Sequence, residues 1–324
     1  MTLTRPVAVL VLVALAALIP LLGPATALHG TGEASAPGAG GIALLRTVLF
    51  AALCVPIGEL FVNRLALFVP GTERATGRPV VPGSWSPPAA AAGFLAALGL
   101  ASVVATGNLV PDGLSDIDLG GLYASRDGKL ALLEVNGFLV AGLCALSRRP
   151  ATQLWPLAAV VVAEALRAHP ATEHTPLTGS GLTLVHLTCA ALWAGGLLHA
   201  LRILRLWRGR YGTQAGAALL GLYARVAAVL LAAITATGVW SSLRRMPPES
   251  VLEQLTVTAY GRVLLAKVLL VAAVAALALW ARQRLRRAAD PLTACAPARA
   301  EVVALGLVVA ASGLLTALPV PIRW

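Results

Sequence analysis

Charged residues are scarce in this chain of 324 residues. Asp, Glu, Lys and Arg together make up 12% of the sequence, whereas 58% is hydrophobic and the mean hydropathy is +0.82. A soluble core of ordinary composition cannot enclose so much apolar surface, so the composition excludes a soluble globular protein. The apolar runs also lack the alternation of outer-membrane strands, so helices must satisfy the backbone in the lipid bilayer. The sequence predicts an all-α, polytopic transmembrane helical bundle.

Motifs for nucleotide binding and hydrolysis are also missing. The sequence has no G-x-x-x-x-G-K-[ST] loop, no G-x-G-x-x-G turn and no H-E-x-x-H, and no serine stands in a nucleophile elbow. We therefore expect no enzymatic activity and no role for ATP. The net charge of +11 does not predict a nucleic-acid partner, because most basic residues cluster in short loops between apolar runs.

Sulfur-containing residues are few. The four cysteines have neither C-x-x-C nor zinc-ribbon spacing, and three of them lie within apolar runs. A disulfide framework is therefore not expected.

Nine apolar runs remain, and a bilayer core needs roughly 20 residues per helix. They lie near residues 6–22, 42–69, 88–110, 130–146, 151–168, 180–201, 217–241, 258–280 and 300–318. The first run follows Arg5 and precedes Ala25-Thr26-Ala27, so it also fits a signal peptide with an A-x-A cleavage site. We expect nine spans, or eight if residues 1–27 are cleaved.

Basic residues alternate between loops in a way that predicts orientation. With a cytoplasmic amino terminus, the inner loops hold Arg64, Arg74, Arg78, Arg148, Arg149, Arg202, Arg205, Arg208, Arg210, Arg282, Arg284, Arg286 and Arg287. The outer loops hold Asp112, Asp116, Asp118 and Asp127. This pattern follows the positive-inside rule and predicts an extracytoplasmic carboxyl terminus.

Ionisable side chains inside the apolar runs are candidates for function, because each costs at least about 2.5–3.5 kcal/mol at the bilayer centre. The candidates considered are Glu59, Glu134, Glu164, His186 and Lys267. The predicted topology puts Glu134, Glu164 and His186 near the outer ends of their spans, together with His169. These four side chains are expected to converge at the outer leaflet.

The sixth run carries the most specific spacing. His186, Cys189 and Trp193 recur at i, i+3 and i+7, so they share one helix face, and imidazole and thiol are both good copper ligands. His169 and His174 lie in an H-x-x-x-E-H sequence that could also capture a metal.

Each of these residues also has an alternative interpretation without metal binding. His186 could form a hydrogen bond to a neighbouring helix, and Cys189 could serve only in packing. The outer-loop histidines could be solvated, and the carboxylates could reach the headgroups. Lys267 could snorkel or pair with Glu134 or Glu59.

Several short motifs follow one another between residues 160 and 324. In order they are His186-Leu187, Ala191-Leu192-Trp193-Ala194-Gly195-Gly196-Leu197, Tyr223-Ala224-Arg225, Thr237-Gly238, Tyr260-Gly261-Arg262 with Leu264-Leu265 and Lys267, Glu301, and Leu318-Pro319-Val320-Pro321. This ordered set resembles the copper resistance protein D family of bacterial inner-membrane proteins. The resemblance divides the chain into residues 1–27, the amino-terminal helices 42–150, and a family-like transmembrane domain 151–324.

The resemblance implies a multi-pass protein of the bacterial inner (plasma) membrane that handles copper, commonly by moving it inward, often beside a small extracytoplasmic copper-binding protein. It points to His169 and His186 as ligands and to Lys267 as the matching lysine. Because only Met1 and Met246 are present, the chain lacks the thioether ladder of soft Cu(I) pathways. The candidate metal ligands are therefore His186, His169, Cys189, Glu164, Glu134 and His174, and the candidates for an ion pathway or helix pairing are Lys267, Glu59 and Trp193.

Three functions remain open from the sequence. The leading hypothesis is copper transport or uptake through an outer-facing histidine site, with the ion passed between helices. The alternative is a haem-binding redox or assembly protein in which His186 and His169 are axial ligands. The third is a structural membrane protein without an ion, whose charged residues serve only in helix pairing.

Overall fold

The computed structural model describes residues 5–72, 79–107, 110, 113, 117–169, 175–246, 249–287 and 295–320. These residues form helices joined by short connections, and no strand occurs among them. The helices are α1 (Arg5–Leu28), α2 (Ala39–Ala66), α3 (Ser86–Ala105), α4 (Leu119–Ala124), α5 (Arg126–Leu146), α6 (Leu154–Arg167), α7 (Pro176–Trp207), α8 (Gly212–Arg245), α9 (Val251–Val257), α10 (Ala259–Arg287) and α11 (Cys295–Leu315). The all-α fold class is confirmed.

Six helices in the described part of the chain are long and apolar enough to cross a membrane. They are α2, α3, α5, α7, α8 and α10. The remaining predicted runs coincide with α1, α6 and α11, which are shorter or have shorter apolar segments in the described residues. At 1.5 Å per residue, α6 extends about 21 Å, less than the roughly 30 Å hydrocarbon core. The structure is that of a multi-pass membrane protein, and the count of eight or nine spans stays a prediction.

Helices α2 and α7 occupy the centre of the bundle. One cluster of buried apolar side chains joins them to α8, and it includes Val62, Trp193 and Tyr223. A second cluster joins α2 to α3, α5 and α6, and it includes Leu49 and Phe138. Because α2 contributes to both clusters, it connects the amino-terminal helices to the carboxyl-terminal half.

Glycine permits the closest helix approach, where α2 crosses α7. A Cβ atom added at Gly195 would overlap the backbone carbonyl of Cys54, and one added at Gly58 would overlap the backbone of Gly195. Only residues without a side chain allow two helix backbones to meet in this way. Gly195 and Gly58 thus let α7 lie directly against α2.

A similar approach attaches α11 to α2. A Cβ atom at Gly313 would overlap the hydroxyl of Thr47, and that hydroxyl donates to the carbonyl of Ala43 at 2.8 Å. Helix α1 packs against both α2 and α11, with Leu314 lying against Gly23. The first and last long helices therefore close the bundle around α2.

Candidate metal-handling site

His186 belongs to α7, and its side chain contacts α8. Its Nδ1 atom is 3.0 Å from the Oγ1 atom of Thr237, and the Thr237 hydroxyl donates to the Ala233 carbonyl at 2.7 Å. A hydroxyl has one proton, so with that proton on Ala233 the oxygen accepts from an Nδ1–H of His186. This tautomer leaves a lone pair on Nε2, which is the form of histidine that binds a metal ion.

Small and charged residues surround the His186 ring. A Cβ atom at Gly238 would lie 3.6 Å from the Cε1 atom of His186, which is ordinary van der Waals contact. The backbone carbonyl of Ile234 and the charge of Lys267 also act on the ring. Helix α10 thus brings a lysine toward the imidazole, although Lys267 forms no ion pair with Glu134 or Glu59, whose partners are described below.

Cys189 and Trp193 continue the same face of α7. Cys189 is half-buried and packs against the apolar cluster that joins α7 to α8. Trp193 is buried, and its backbone carbonyl accepts a hydrogen bond of 2.6 Å from the hydroxyl of Tyr223 on α8. The face that contains His186 is therefore attached to α8 at both Thr237 and Tyr223.

His169 reaches α7 from the segment that follows α6. Its Nε2 atom is 2.9 Å from the Oγ1 atom of Thr183, and its ring fills the space beside Gly179. Thr183 precedes His186 by three residues, so His169 contacts α7 about one turn from His186. The two histidines form hydrogen bonds with different threonines.

Glu134 and Glu164 come together, as predicted, but with two arginines rather than with histidines. The Nη2 atom of Arg167 donates to Glu134 at 2.6 Å and to Glu164 at 2.9 Å. The Nη1 atom of Arg46 on α2 donates to both oxygens of Glu164, at 2.5 and 2.6 Å. We call these four residues the acidic-pair cluster. It connects α2, α5 and α6.

Glu59 belongs to a second polar cluster, at the other end of α2. It accepts hydrogen bonds from the side chains of Ser84, Ser86 and Arg202 and from the backbone N–H groups of Trp85 and Ser86. These N–H groups lie at the amino terminus of α3, where the helix dipole favours a negative charge. Glu59 therefore caps a helix that is not its own.

His199 is part of this second cluster and uses both ring nitrogens. Its Nε2 atom is 2.9 Å from the side-chain oxygen of Asn63, and its Nδ1 atom is 3.3 Å from Arg202. The guanidinium of Arg202 also lies 3.8 Å from the centre of the Trp85 ring. Both ring nitrogens of His199 thus have a partner, whereas the hydrogen bond of His186 to Thr237 uses Nδ1 and leaves the lone pair on Nε2.

Three of the residues that organise these clusters were not identified from the sequence. Arg46 lies inside the second apolar run, where an ionisable residue is itself a signal. Arg202 stands at the inner end of its run and follows the loop pattern of basic residues, whereas Arg167 stands at the predicted outer end of its run. Their pairing with carboxylates 33 to 143 positions away leaves no mark in the sequence.

Within the described ranges, no group of three or more His, Cys, Asp or Glu side chains is arranged to hold a metal ion. The predicted ligand His174 lies outside these ranges. The candidate donors near the outer end of α7 thus contact different residues in the described part of the chain. The set of metal ligands stays a prediction.

Comparison with known families gives one match. The family described as copper resistance protein D matches residues 217–315, which we call the matched segment. It includes nearly all of α8 and the whole of α9, α10 and α11, and is shorter than the resemblance over residues 160–324. No curated protein and no solved structure matches the chain. The match confirms the resemblance noted in the sequence, and residues 217–315 of this multi-pass membrane protein match the copper resistance protein D family.

Proposed function

We propose that this protein moves copper ions across the bacterial inner membrane, and that His186 is the residue that binds the ion in transit. The observation that supports this proposal is the contact between His186 and the matched segment. Thr237 and Gly238 contact the ring from α8, Lys267 on α10 acts on it through its charge, and all three lie in that segment. A single imidazole with a lone pair on Nε2 is therefore positioned against the domain associated with copper resistance.

Cys189 supplies a second donor to this proposal. It stands one turn from His186, on the same face of α7, and its thiol is half-buried. Nitrogen and sulfur donors suit copper better than oxygen donors do. Two ligands on one turn would bind the ion loosely enough to release it, which a transport pathway requires.

The surrounding residues suggest how copper reaches His186. His169 contacts α7 about one turn nearer the predicted outer end, and Glu134 and Glu164 lie at the same end of the bundle. Under the predicted orientation, with the carboxyl terminus extracytoplasmic, copper enters from outside, delivered by a small copper-binding protein. His169 then receives the ion and His186 passes it inward.

Lys267 has a defined part in this scheme. A positive charge near an empty imidazole repels a cation, so the charge of Lys267 limits the affinity of His186 for copper. Weak binding favours passage over storage. The lysine is a positioning residue that tunes the site without ligating the ion.

The test is copper binding and copper flux with a histidine control. Wild-type protein, His186→Ala and His29→Ala are purified in detergent, exposed to copper and washed, and then reconstituted into vesicles for uptake. His29 is exposed in the loop after α1, so its loss controls for histidine as such. We expect copper uptake to be lost in His186→Ala and retained in His29→Ala.

A second measurement on the same samples separates copper from haem. A Soret band in the visible spectrum of the wild-type protein, lost in His186→Ala, would replace the copper proposal with the haem alternative. Unchanged copper uptake in His186→Ala would also reject His186 as the site.

A further inference from the structure

A cavity lies at the end of the bundle where α2 and α7 finish and α8 begins. Its volume is about 290 Å³, and its lining includes residues 69–71 on one side and Tyr211, Gln214 and Ala218 on the other. Pro70, Gln214 and Ala218 are exposed, so the cavity opens at the protein surface. Tyr211 and Gln214 bring a hydroxyl and an amide to the lining. The volume is at the lower end of the range for small-molecule sites, so the cavity fits one small polar group.

Two arginines lie at the edge of this cavity. Helix α7 ends at Trp207, and the backbone N–H groups of Arg210 and Tyr211 both donate to the Trp207 carbonyl at 2.9 Å. This tight turn puts Arg208 and Arg210 at the tip between α7 and α8, directly before the lining residue Tyr211. Both arginines are exposed, and neither side chain has a hydrogen-bond or ion-pair partner in the described part of the chain. Their guanidinium groups are therefore available to a ligand.

The helices around the cavity carry an excess of positive charge at this end. Arg64 on α2 and Arg205 on α7 are also exposed, and their side chains likewise have no partner among the described residues. Helices α2, α7 and α8 together contain one carboxylate, Glu59, and Arg202 already forms an ion pair with it. No acidic side chain of these three helices is left to neutralise the exposed arginines. The charge therefore favours an anionic ligand.

Apolar side chains beside the cavity indicate what kind of anion fits. Leu67 and Phe68 directly precede lining residues 69–71, and they are 42% and 64% exposed. Helix α2 has 28 residues, so it is about 42 Å long, and its ends extend beyond the roughly 30 Å hydrocarbon core into the headgroup region. Exposed apolar side chains next to arginines at this depth are typical of surfaces that bind anionic lipids. A phospholipid supplies both a phosphate and acyl chains, whereas a free phosphate supplies only the charge.

We propose that this cavity binds the headgroup of an anionic phospholipid from the surrounding leaflet. Arg208 and Arg210 pair with the phosphate, as guanidinium groups do with phosphate oxygens. Tyr211 and Gln214 form hydrogen bonds with the rest of the headgroup, and residues 67–68 contact the acyl chains. The lipid thereby connects the end of α2 to the start of α8. This site is separate from the histidine site and does not depend on the copper proposal.

Native mass spectrometry of the detergent-purified full chain tests the charge requirement. The protein is titrated with phosphatidylglycerol, which is anionic, and with phosphatidylcholine, which has no net charge. We expect the wild type to bind phosphatidylglycerol more tightly, and the double variant Arg208→Gln/Arg210→Gln to lose about 10–30-fold in affinity for it. The matched control is Arg148→Gln/Arg149→Gln, which removes two exposed arginines from the connection between α5 and α6 and should leave the affinity unchanged.

A cavity-filling variant separates a defined site from general attraction between charges. Ala218→Trp fills the cavity and keeps every arginine, so it should bind phosphatidylglycerol no better than phosphatidylcholine. Val229→Trp, at an exposed position further along α8, should bind as the wild type does. Melting temperatures without lipid show that both variants are folded. Equal affinity of the wild type for the two lipids, unchanged binding in the double arginine variant or in Ala218→Trp, or displacement of the lipid by an equal concentration of inorganic phosphate would overturn the proposal. No copper is present, so these outcomes are independent of the copper proposal.

Discussion

The hydroxyl of Thr237 on α8 orients the imidazole of His186 on α7. The oxygen lies 3.0 Å from Nδ1, and its own proton is donated to the carbonyl of Ala233 at 2.7 Å. A backbone carbonyl thus determines, through one hydroxyl, which nitrogen of the histidine is protonated. This chain of hydrogen bonds connects the matched segment to a helix that precedes it.

The first prediction concerns this hydroxyl. Thr237→Val keeps the shape of the side chain but removes the acceptor, so both tautomers of His186 become accessible. We expect copper affinity to fall about 10–100-fold, as for other partners that orient a ligand. Titration of copper into detergent-purified protein measures this change. Thr188→Val is the matched control, because the Thr188 hydroxyl donates to the Leu184 carbonyl of its own helix. An equal loss in both variants would contradict the orienting role.

The second prediction concerns the guanidinium that bridges two carboxyl groups. Arg167→Leu leaves Glu134 and Glu164 buried beside one another with only Arg46 to compensate. Breaking such a buried pair costs about 3–5 kcal/mol. We expect a clear loss of stability in thermal or denaturant unfolding in detergent. Arg208→Leu, at an exposed position after α7, should change the free energy of unfolding by less than about 1 kcal/mol; similar losses in both variants would argue against the cluster.

The third prediction concerns the crossing of α2 and α7. Gly195→Ala introduces a Cβ atom against the Cys54 carbonyl, so the helix backbones must separate. Overpacking costs about 1–3 kcal/mol, and more where backbone must move. Gly221→Ala on α8 meets nothing within 4 Å and should be neutral or stabilising by up to about 1 kcal/mol. Unfolding curves for both variants in one detergent test the contrast, which fails if Gly195→Ala is as stable as the wild type.

The fourth prediction concerns the segment that precedes α3. Arg202 contacts Glu59, the Gly83 carbonyl and the Trp85 ring at once, and this needs a flat guanidinium. Arg202→Lys should retain the contact to Glu59 and lose the others. We expect faster amide hydrogen exchange at residues 80–86, measured by mass spectrometry. Arg205→Lys, at an exposed position on the same helix, should leave the exchange rates of this segment unchanged.

The helices themselves were predictable because each predicted run is continuous and apolar. The nine runs coincide with the nine described α-helices of 14 or more residues, including α6, which is the shortest of them. Apolar length is a local property, so the sequence alone suffices to detect it. The breaks between runs were also visible, since loops contain proline, glycine and charge.

The partners of buried polar residues were not predictable in the same way. Glu134 and Glu164 were expected to converge, and they do, but Arg167 and Arg46 were not recognised as their partners. Lys267 was considered as a partner for Glu59, whose partner in the structure is Arg202. Pairing between helices depends on how they rotate about their axes, and a single sequence contains no direct signal of that rotation.

The buried ion pairs impose an order on assembly during synthesis. Arg46 and Glu164 are separated by 118 positions, and Glu59 and Arg202 by 143. At roughly 5–20 residues per second, the ribosome makes Glu164 about 6–24 s after Arg46, and Arg202 about 7–29 s after Glu59. During these intervals Arg46 and Glu59 on α2 are without these two partners. Helix α2 therefore reaches its final burial only after α7 has been translated, which makes the central helix of the bundle one of the last to settle.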